Sequence, residues 1–318
     1  MALMIPLVLQ LCQMALVLLL APLLAGLVRS IKARLQRRSG PPLLQIYRDL
    51  AKLIMKDAIV ATDASWLFTL APYLIFANTW VSASLVPSFS TDLLFSGSGD
   101  LIAIVALLGT AQFFQMLAAL DLGTAFGGLG ASREAMFASL AEPAMLMIVF
   151  TVALVAGSSQ LSVIAVFMHS GAAGLRLSLG LALVALVIVA LAETGRFPVD
   201  NPATHLELTM VHEAMVLEYS ARHLALIELA HALKLTLYMS LIAAIFAPLG
   251  MAGAGSALSA LVLGLLAYLG KLAFGAVLLA VFETAIAKMR VFRVPNFIGA
   301  ALMLGLLGTL LLFVSATL

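Results

Sequence analysis

The sequence predicts an all-α, polytopic membrane protein with about eight transmembrane helices and one amphipathic helix on the membrane surface. Three observations predict it. Hydrophobic residues make up 64% of the chain and charged residues 10%, against the ~25% charged share of soluble domains. The apolar residues gather into eight runs of roughly the ~20 residues that a bilayer requires. Fifteen of the seventeen lysines and arginines fall in alternate connections between those runs, the asymmetry expected when basic loops stay in the cytoplasm.

The first run, Leu3–Val28, has no basic residues ahead of it and is too long for a signal-peptide core, so it should stay as a membrane helix. The others are expected at Trp66–Val86, Leu101–Leu120, Ala135–Ala156, Leu175–Glu193, Ala232–Leu249, Ala257–Phe282 and Asn296–Ser315. Proline and glycine inside several of them are tolerable in membrane helices. The whole chain, 1–318, reads as one membrane domain.

Orientation follows from the basic residues. Arg29, Lys32, Arg34, Arg37, Arg38, Arg48, Lys52 and Lys56 lie in the first loop. Arg133 lies in the third, Arg196, Arg222 and Lys234 in the fifth, and Lys288, Arg290 and Arg293 in the seventh. Only Arg176 and Lys271 fall elsewhere. With eight spans, both termini are expected on the outer side.

In the first loop, Gly40-Pro41-Pro42 breaks the chain and Leu43–Ile59 then shows helical spacing of apolar residues. Arg48, Asp49, Lys52 and Lys56 fall mostly between them, the pattern of a helix lying on a membrane surface. Its basic face would meet anionic lipid or dock a peripheral subunit. Nucleic acid is not among the expected partners.

Cys12 is the only cysteine, which excludes disulfides and iron–sulfur ligation by this chain alone. His212-Glu213 opens like a zinc-protease motif, but Val216 stands where the second histidine belongs. Gly127-Gly128-Leu129-Gly130 is expected to be a flexible cytoplasmic turn rather than a phosphate cradle. No cofactor or metal site is expected.

The ionisable chemistry is concentrated between Glu193 and Lys234. This stretch carries Glu193, Asp200, Glu207, Glu213, Glu218, Glu228, three bases and four of the five histidines. A charge at membrane depth costs roughly 2.5–3.5 kcal/mol or more, so such groups point to a use. Ala203–Ser220 reads as a helix after Pro202, on which Glu207 and Glu218 lie about 20° apart. Facing water would explain those acids equally well.

Glu142-Pro143 places a carboxylate beside a kink some seven residues into the fourth span, a protonatable group on an ion path. Lys271 sits mid-way along the seventh span and Glu283 closes it, about 18 Å apart. They cannot pair directly, so Lys271 needs another partner or must be neutral. Asp121 and Glu193 end their spans on the basic side, where protons could arrive.

These residues occur in a familiar order. The chain resembles the H-type membrane subunit of respiratory complex I, and more closely its counterpart in group 4 membrane-bound [NiFe] hydrogenases of formate hydrogenlyase and hydrogenase-4 type. The resemblance rests on Glu193-Thr194-x-Arg196-x-Pro198-x-Asp200-x-Pro202, then Glu207-Leu208 and Glu218-Tyr219-Ser220. Arg38-x-Gly40-Pro41, Arg133 and Glu142 support it. Ala203-Thr204-His205-Leu206, Ser132-Arg133-Glu134 and the ending Ala287–Pro295 favour the hydrogenase branch.

The resemblance implies a non-catalytic subunit in a prokaryotic cytoplasmic membrane, joining a redox arm to an ion-translocating membrane arm. Its partners would be hydrogenase-like large and small (iron–sulfur) subunits and antiporter-like membrane subunits, with the [NiFe] and iron–sulfur clusters on the partners. Asp121, Glu142, Glu193, Asp200, Glu207, Glu213, Glu218, Glu228, Lys271 and Glu283 would carry or sense charge. Arg133, Arg196 and Arg222 would be their loop partners. Arg38, Arg48, Lys52, Lys56, Arg290 and Arg293 would dock the redox arm. The alternatives are the quinone-channel subunit of an NADH- or ferredoxin-dependent quinone reductase and a free-standing secondary transporter.

Overall fold

The computed structural model describes residues 4–91, 93–171, 174, 176–196, 198–199, 210–253, 257–287 and 289–317. Among them the chain forms eleven α-helices: α1 Met4–Leu35, α2 Gln45–Ile54, α3 Trp66–Leu85, α4 Leu101–Asp121, α5 Ala125–Ala156, α6 Leu161–His169, α7 Leu177–Glu193, α8 His212–Val216, α9 Ala221–Phe246, α10 Leu258–Ala285 and α11 Val294–Thr317. Six of them, α1, α4, α5, α9, α10 and α11, contain stretches long and apolar enough to cross a membrane, and α7 is a shorter apolar helix. The 20-residue α3 occupies the remaining expected span. It carries polar but no charged side chains, and Asn78, Thr79 and Ser82 return their donors to carbonyls one turn back. That local bonding removes most of the cost of placing them in an apolar layer.

Short side chains start the helices where the expected boundaries required it. Ser65 caps α3 through Leu67 N, Asp100 caps α4 through Ile102 N, and Thr124 caps α5 through Gly127 N. The last cap corrects an expectation. Gly127–Gly130 is the first turn of α5 and not a flexible turn, so α5 begins ten residues before the expected Ala135. Close packing is the reason. A Cβ on Gly127 would stand 2.5 Å from the Ala119 carbonyl oxygen of α4, and one on Gly130 would stand 3.0 Å from that of Val211. Small residues let backbones approach to this degree. Glu142 therefore lies well inside a 32-residue helix rather than near its start.

Two other expectations are corrected. The helix expected over Ala203–Ser220 is, within the described residues, only the five-residue α8, and Glu218 lies in the turn beyond it. The sixth span begins at Ala221 and not Ala232, so Arg222, Glu228 and His231 belong to α9 instead of a loop. The connection after Gly157 also holds a helix, α6, which buries Leu161, Ile164 and Ala165. The amphipathic surface helix is present as α2, with Leu50 buried and Ile54 and Met55 exposed.

α9 is the central helix. Of its apolar stretch 61% is buried, against 28% for α10 and 22% for α11, and it packs on α1, α2, α3, α6, α7 and α10. α11 closes the other side against α5 and α7. Connections of like parity meet at the same end. At one end Gln10 and Gln13 donate to the carbonyls of Ser84 and Val86, and Leu101 N donates to Ser159 O. At the other, basic end, Ser220 bonds to Ile59 and Met289 N donates to Pro198 O.

Candidate functional site

α7 ends at Glu193, and the turn after it explains part of the motif. Gly195 has φ 57°, the left-handed conformation that glycine adopts without a Cβ penalty. Gly195 N then donates to Ala192 O and Arg196 N to Leu191 O, satisfying the last carbonyls of the helix. Glu193 is left at a helix C-terminus, where the helix dipole disfavours an anion. α9 supplies the compensation: Lys234 Nζ lies 2.7 Å from Glu193 Oε2, with side-chain exposures of 13% and 7%.

The same turn aims Arg196 at a second buried carboxylate. Glu283, in the last turn of α10, takes Lys32 Nζ of α1 at 2.9 Å on Oε2 and Arg196 Nη1 at 3.3 Å on Oε1. Each oxygen therefore has its own cation. Burial pulls the Arg196 guanidinium below its ordinary range, and Glu283 beside it pulls the other way. Three separate elements are held by one carboxylate.

A third cluster was not foreseen. Glu134 of α5 is 3% exposed and accepts a 2.5 Å hydrogen bond from Gln112 Nε2 of α4. His212 Nε2 stands 3.6 Å from the same oxygen, and the His231 ring lies 5.9 Å from the His212 ring at 73°. Gln115 Nε2 is 3.5 Å from His231 Nε2. Beside them Gln112, Gln115, His231 and Lys234 share the wall of a cavity of about 10 Å³ with Thr79 and Leu108, roughly the space for one water centre. The signal that could have found Glu134 was Thr124, a cap residue whose recognition would have placed Glu134 in a helix interior.

Glu142 sits one side of this axis. It is exposed on α5, its Oε1 lies 3.2 Å from where a Cβ on Gly109 of α4 would be, and Glu193 and Lys234 are within electrostatic reach. Asp121 ends α4 by accepting Ser65 N at 2.9 Å, which ties it to the start of α3. Arg133 donates to Met210 O at 2.9 Å. Glu213 and Glu218 are exposed, Glu228 is half-buried on α9 and near Glu213, and Arg222 is exposed in the first turn of α9. Lys271 is half-buried on α10 with no carboxylate at ion-pair distance among the described residues. Asp200 and Glu207 lie outside the described residues. Arg38, Arg48, Lys52, Lys56, Arg290 and Arg293 are all exposed.

What the arrangement offers is a set of carboxylates, imidazoles and a lysine at the junction of α4, α5, α7, α8 and α9, with a basic surface at one end. The family comparison agrees with that architecture: the NADH dehydrogenase model matches residues 8–314. The chain belongs to this family. Among curated relatives, hydrogenase-4 component C of Escherichia coli is 35% identical, covering 88% of this chain and 87% of that one. Formate hydrogenlyase subunit 4 of the same organism is 33% identical, covering 87% and 89%. The H-type subunit of the NADH-quinone oxidoreductase of Rickettsia prowazekii is 28% identical, covering 69% and 66%.

The fold is shared with a chain in the structure of the membrane-bound sulfane sulfur reductase, an archaeal respiratory membrane complex. The TM-score is 0.81, at 21% identity and covering 95% of this chain and 97% of that one. Within the NADH dehydrogenase family this chain is thus a multi-pass, all-helical membrane protein. Among its described residues no three His, Cys, Asp or Glu side chains are grouped to hold a metal ion.

Proposed function

We propose that this chain is the non-catalytic membrane subunit of an energy-converting hydrogenase-type complex, coupling electron transfer on partner subunits to movement of protons or sodium. The observation that carries the reading is the buried Glu193–Lys234 pair at the end of the Glu-Thr-Gly-Arg turn, in a chain related to hydrogenase-4 component C and formate hydrogenlyase subunit 4. An ion pair taken out of water at the meeting point of loop and membrane responds to charge on either side, because the interior screens it weakly.

The exposed basic residues Arg38, Arg48, Lys52, Lys56, Arg290 and Arg293 dock a hydrogenase-like large subunit and a small iron–sulfur subunit, which carry the [NiFe] and iron–sulfur clusters. Glu142, open to the surface of α5, faces an antiporter-like membrane subunit. The basic end lies in the cytoplasm of a prokaryotic cell and both termini lie outside. Asp121, Glu142, Glu193, Asp200, Glu207, Glu213, Glu218, Glu228 and Lys271 carry or sense the charge. Glu283 holds the loop in register for them through Lys32 and Arg196.

The test is made on the intact complex, gently solubilised. Nickel content with hydrogen evolution from a reduced dye supports the reading, and ion uptake in vesicles should then fail in Glu193→Gln while dye-linked hydrogen evolution persists. A complex without nickel that oxidises a donor only with quinone moves the chain to the quinone-reductase branch. Ion transport by the isolated chain would make it a free-standing transporter.

A further inference from the structure

The cluster around Glu134 is wired differently from the two ion pairs. Glu193 and Glu283 have their charges matched within 3.3 Å. Glu134 does not. Among the described residues its buried Oε2 has no hydrogen-bond partner, and neither has either ring nitrogen of His212. A buried carboxylate with one amide donor and a buried imidazole with two empty nitrogens are each costly arrangements. One proton between them satisfies both. The 3.6 Å separation of His212 Nε2 from Glu134 Oε1 closes to an ordinary hydrogen bond with a shift of roughly half an ångström.

The two groups arrive from different parts of the chain. Glu134 is fixed in α5, whereas His212 is carried by the segment Met210–Val216, held to α5 by the Arg133 bond to Met210 O. Gly130 lies under Met215 and Ala214, and Gly195 lies against the His212 ring, where a Cβ would come within 3.3 Å of Nδ1. The turn that orients Arg196 and the segment bearing His212 are therefore in contact.

We propose that Glu134 and His212 form a buried one-proton site that fastens Met210–Val216 onto α5, so that separation of this segment and release of the proton are a single event. It rests on the coupling role above only for its purpose; its chemistry stands alone. Before separation the proton is shared between Glu134 Oε1 and His212 Nε2. Afterwards it goes to water, leaving a carboxylate on α5 and a neutral imidazole on the freed segment.

Among the described residues the neighbouring groups do not supply an alternative partner. On α4 the facing side chains are Gln112 and Gln115, both uncharged. On α5 Arg133 is engaged by Met210 O, and Glu142 is exposed. Glu193 at the end of α7 and Lys234 on α9 hold each other. Glu213 on α8 is exposed, Glu228 on α9 is near it, and His231 meets the His212 ring edge-to-face.

The sign of the pH dependence follows. A free Glu and a free His together hold two protons below pH ~4.3, one up to pH ~6.5 and none above. The closed pair holds one. Closure is therefore favoured between those values and weakens above them, by about tenfold per pH unit.

The experiment is hydrogen–deuterium exchange on the intact membrane complex from pH 7 to 9, corrected for intrinsic rates. Amides of Met210–Val216 should lose protection by about tenfold per pH unit in the wild type, and Glu134→Gln and His212→Asn should each flatten that dependence. A wild-type profile that is already flat, or variants that keep its slope, overturns the proposal. Ion uptake measured in vesicles on the same samples separates the two ideas. A correct exchange pattern with unchanged uptake in both variants upholds the one-proton site and removes it from the coupling path.

Discussion

Lys234 Nζ and Glu193 Oε2 are 2.7 Å apart across the contact of α9 with α7, and neither side chain is more than 13% exposed. Removing one partner strands the other charge. Glu193→Gln or Lys234→Met alone should destabilise the protein by about 3–5 kcal/mol, whereas the double variant should recover much of that loss. Denaturation of the four proteins in one detergent checks it, and equal additive losses would show that the pair is not coupled.

Gly127 and Gly128 are adjacent in α5 but differ in what surrounds them. Gly127→Ala would place a Cβ 2.5 Å from the Ala119 carbonyl oxygen, whereas nothing lies within 4 Å at Gly128. The first should cost about 1–3 kcal/mol through overpacking. The second should be neutral or stabilise by up to ~1 kcal/mol, because alanine is the better helix former. Thermal melts of both variants decide the matter.

Tyr219 stacks on Phe68 at 4.0 Å, with ring planes 2° apart, and its hydroxyl donates to Phe68 O at 3.0 Å. Tyr219→Phe should cost about 0.5–1.5 kcal/mol at neutral pH. Burial, and then the charge of Asp121, raise the phenol well above its ordinary range. A group raised in the folded state contributes stability that is complete below its unfolded pKa of ~10 and is lost as pH climbs toward the folded value. The wild type should therefore lose its advantage over Tyr219→Phe in melts taken above pH ~10, while the gap stays constant below it.

Lys271 and Glu142 separate a coupling role from an anchoring one. Neither forms an ion pair among the described residues, so Lys271→Ala and Glu142→Gln should leave assembly and melting temperature close to the wild type, a stability change within about 1 kcal/mol. Each should nevertheless reduce ions moved per electron in vesicles. If coupling is untouched in both, the chain is an anchor only.

The all-helical membrane class was legible because lipid-crossing runs must be apolar over ~20 residues, whatever they pack against. α2 was legible for the opposite reason: one side faces water, so Arg48, Asp49 and Lys52 mark its face. The start of α5 was not, because glycine argues against helix in isolation and the contacts that favour it lie on α4 and α8. The clustering of Glu193 with Lys234 was only half legible. Both residues were visible as charges beside spans, but 41 positions of sequence separate them.

By itself the sequence determined the class, the apolar runs, the clustering of basic residues and the motif around Glu193. Hydropathy and charge asymmetry are properties of each segment against its solvent, and each can be read locally. Tertiary structure alone decided that Glu193 meets Lys234, that Glu283 meets Lys32 and Arg196, and that Glu134 is buried beside His212. Lipid is as apolar as the protein core, so no periodic pattern marks which face of a membrane helix turns inward. Only the packing of α4, α5, α7 and α9 brings these side chains together.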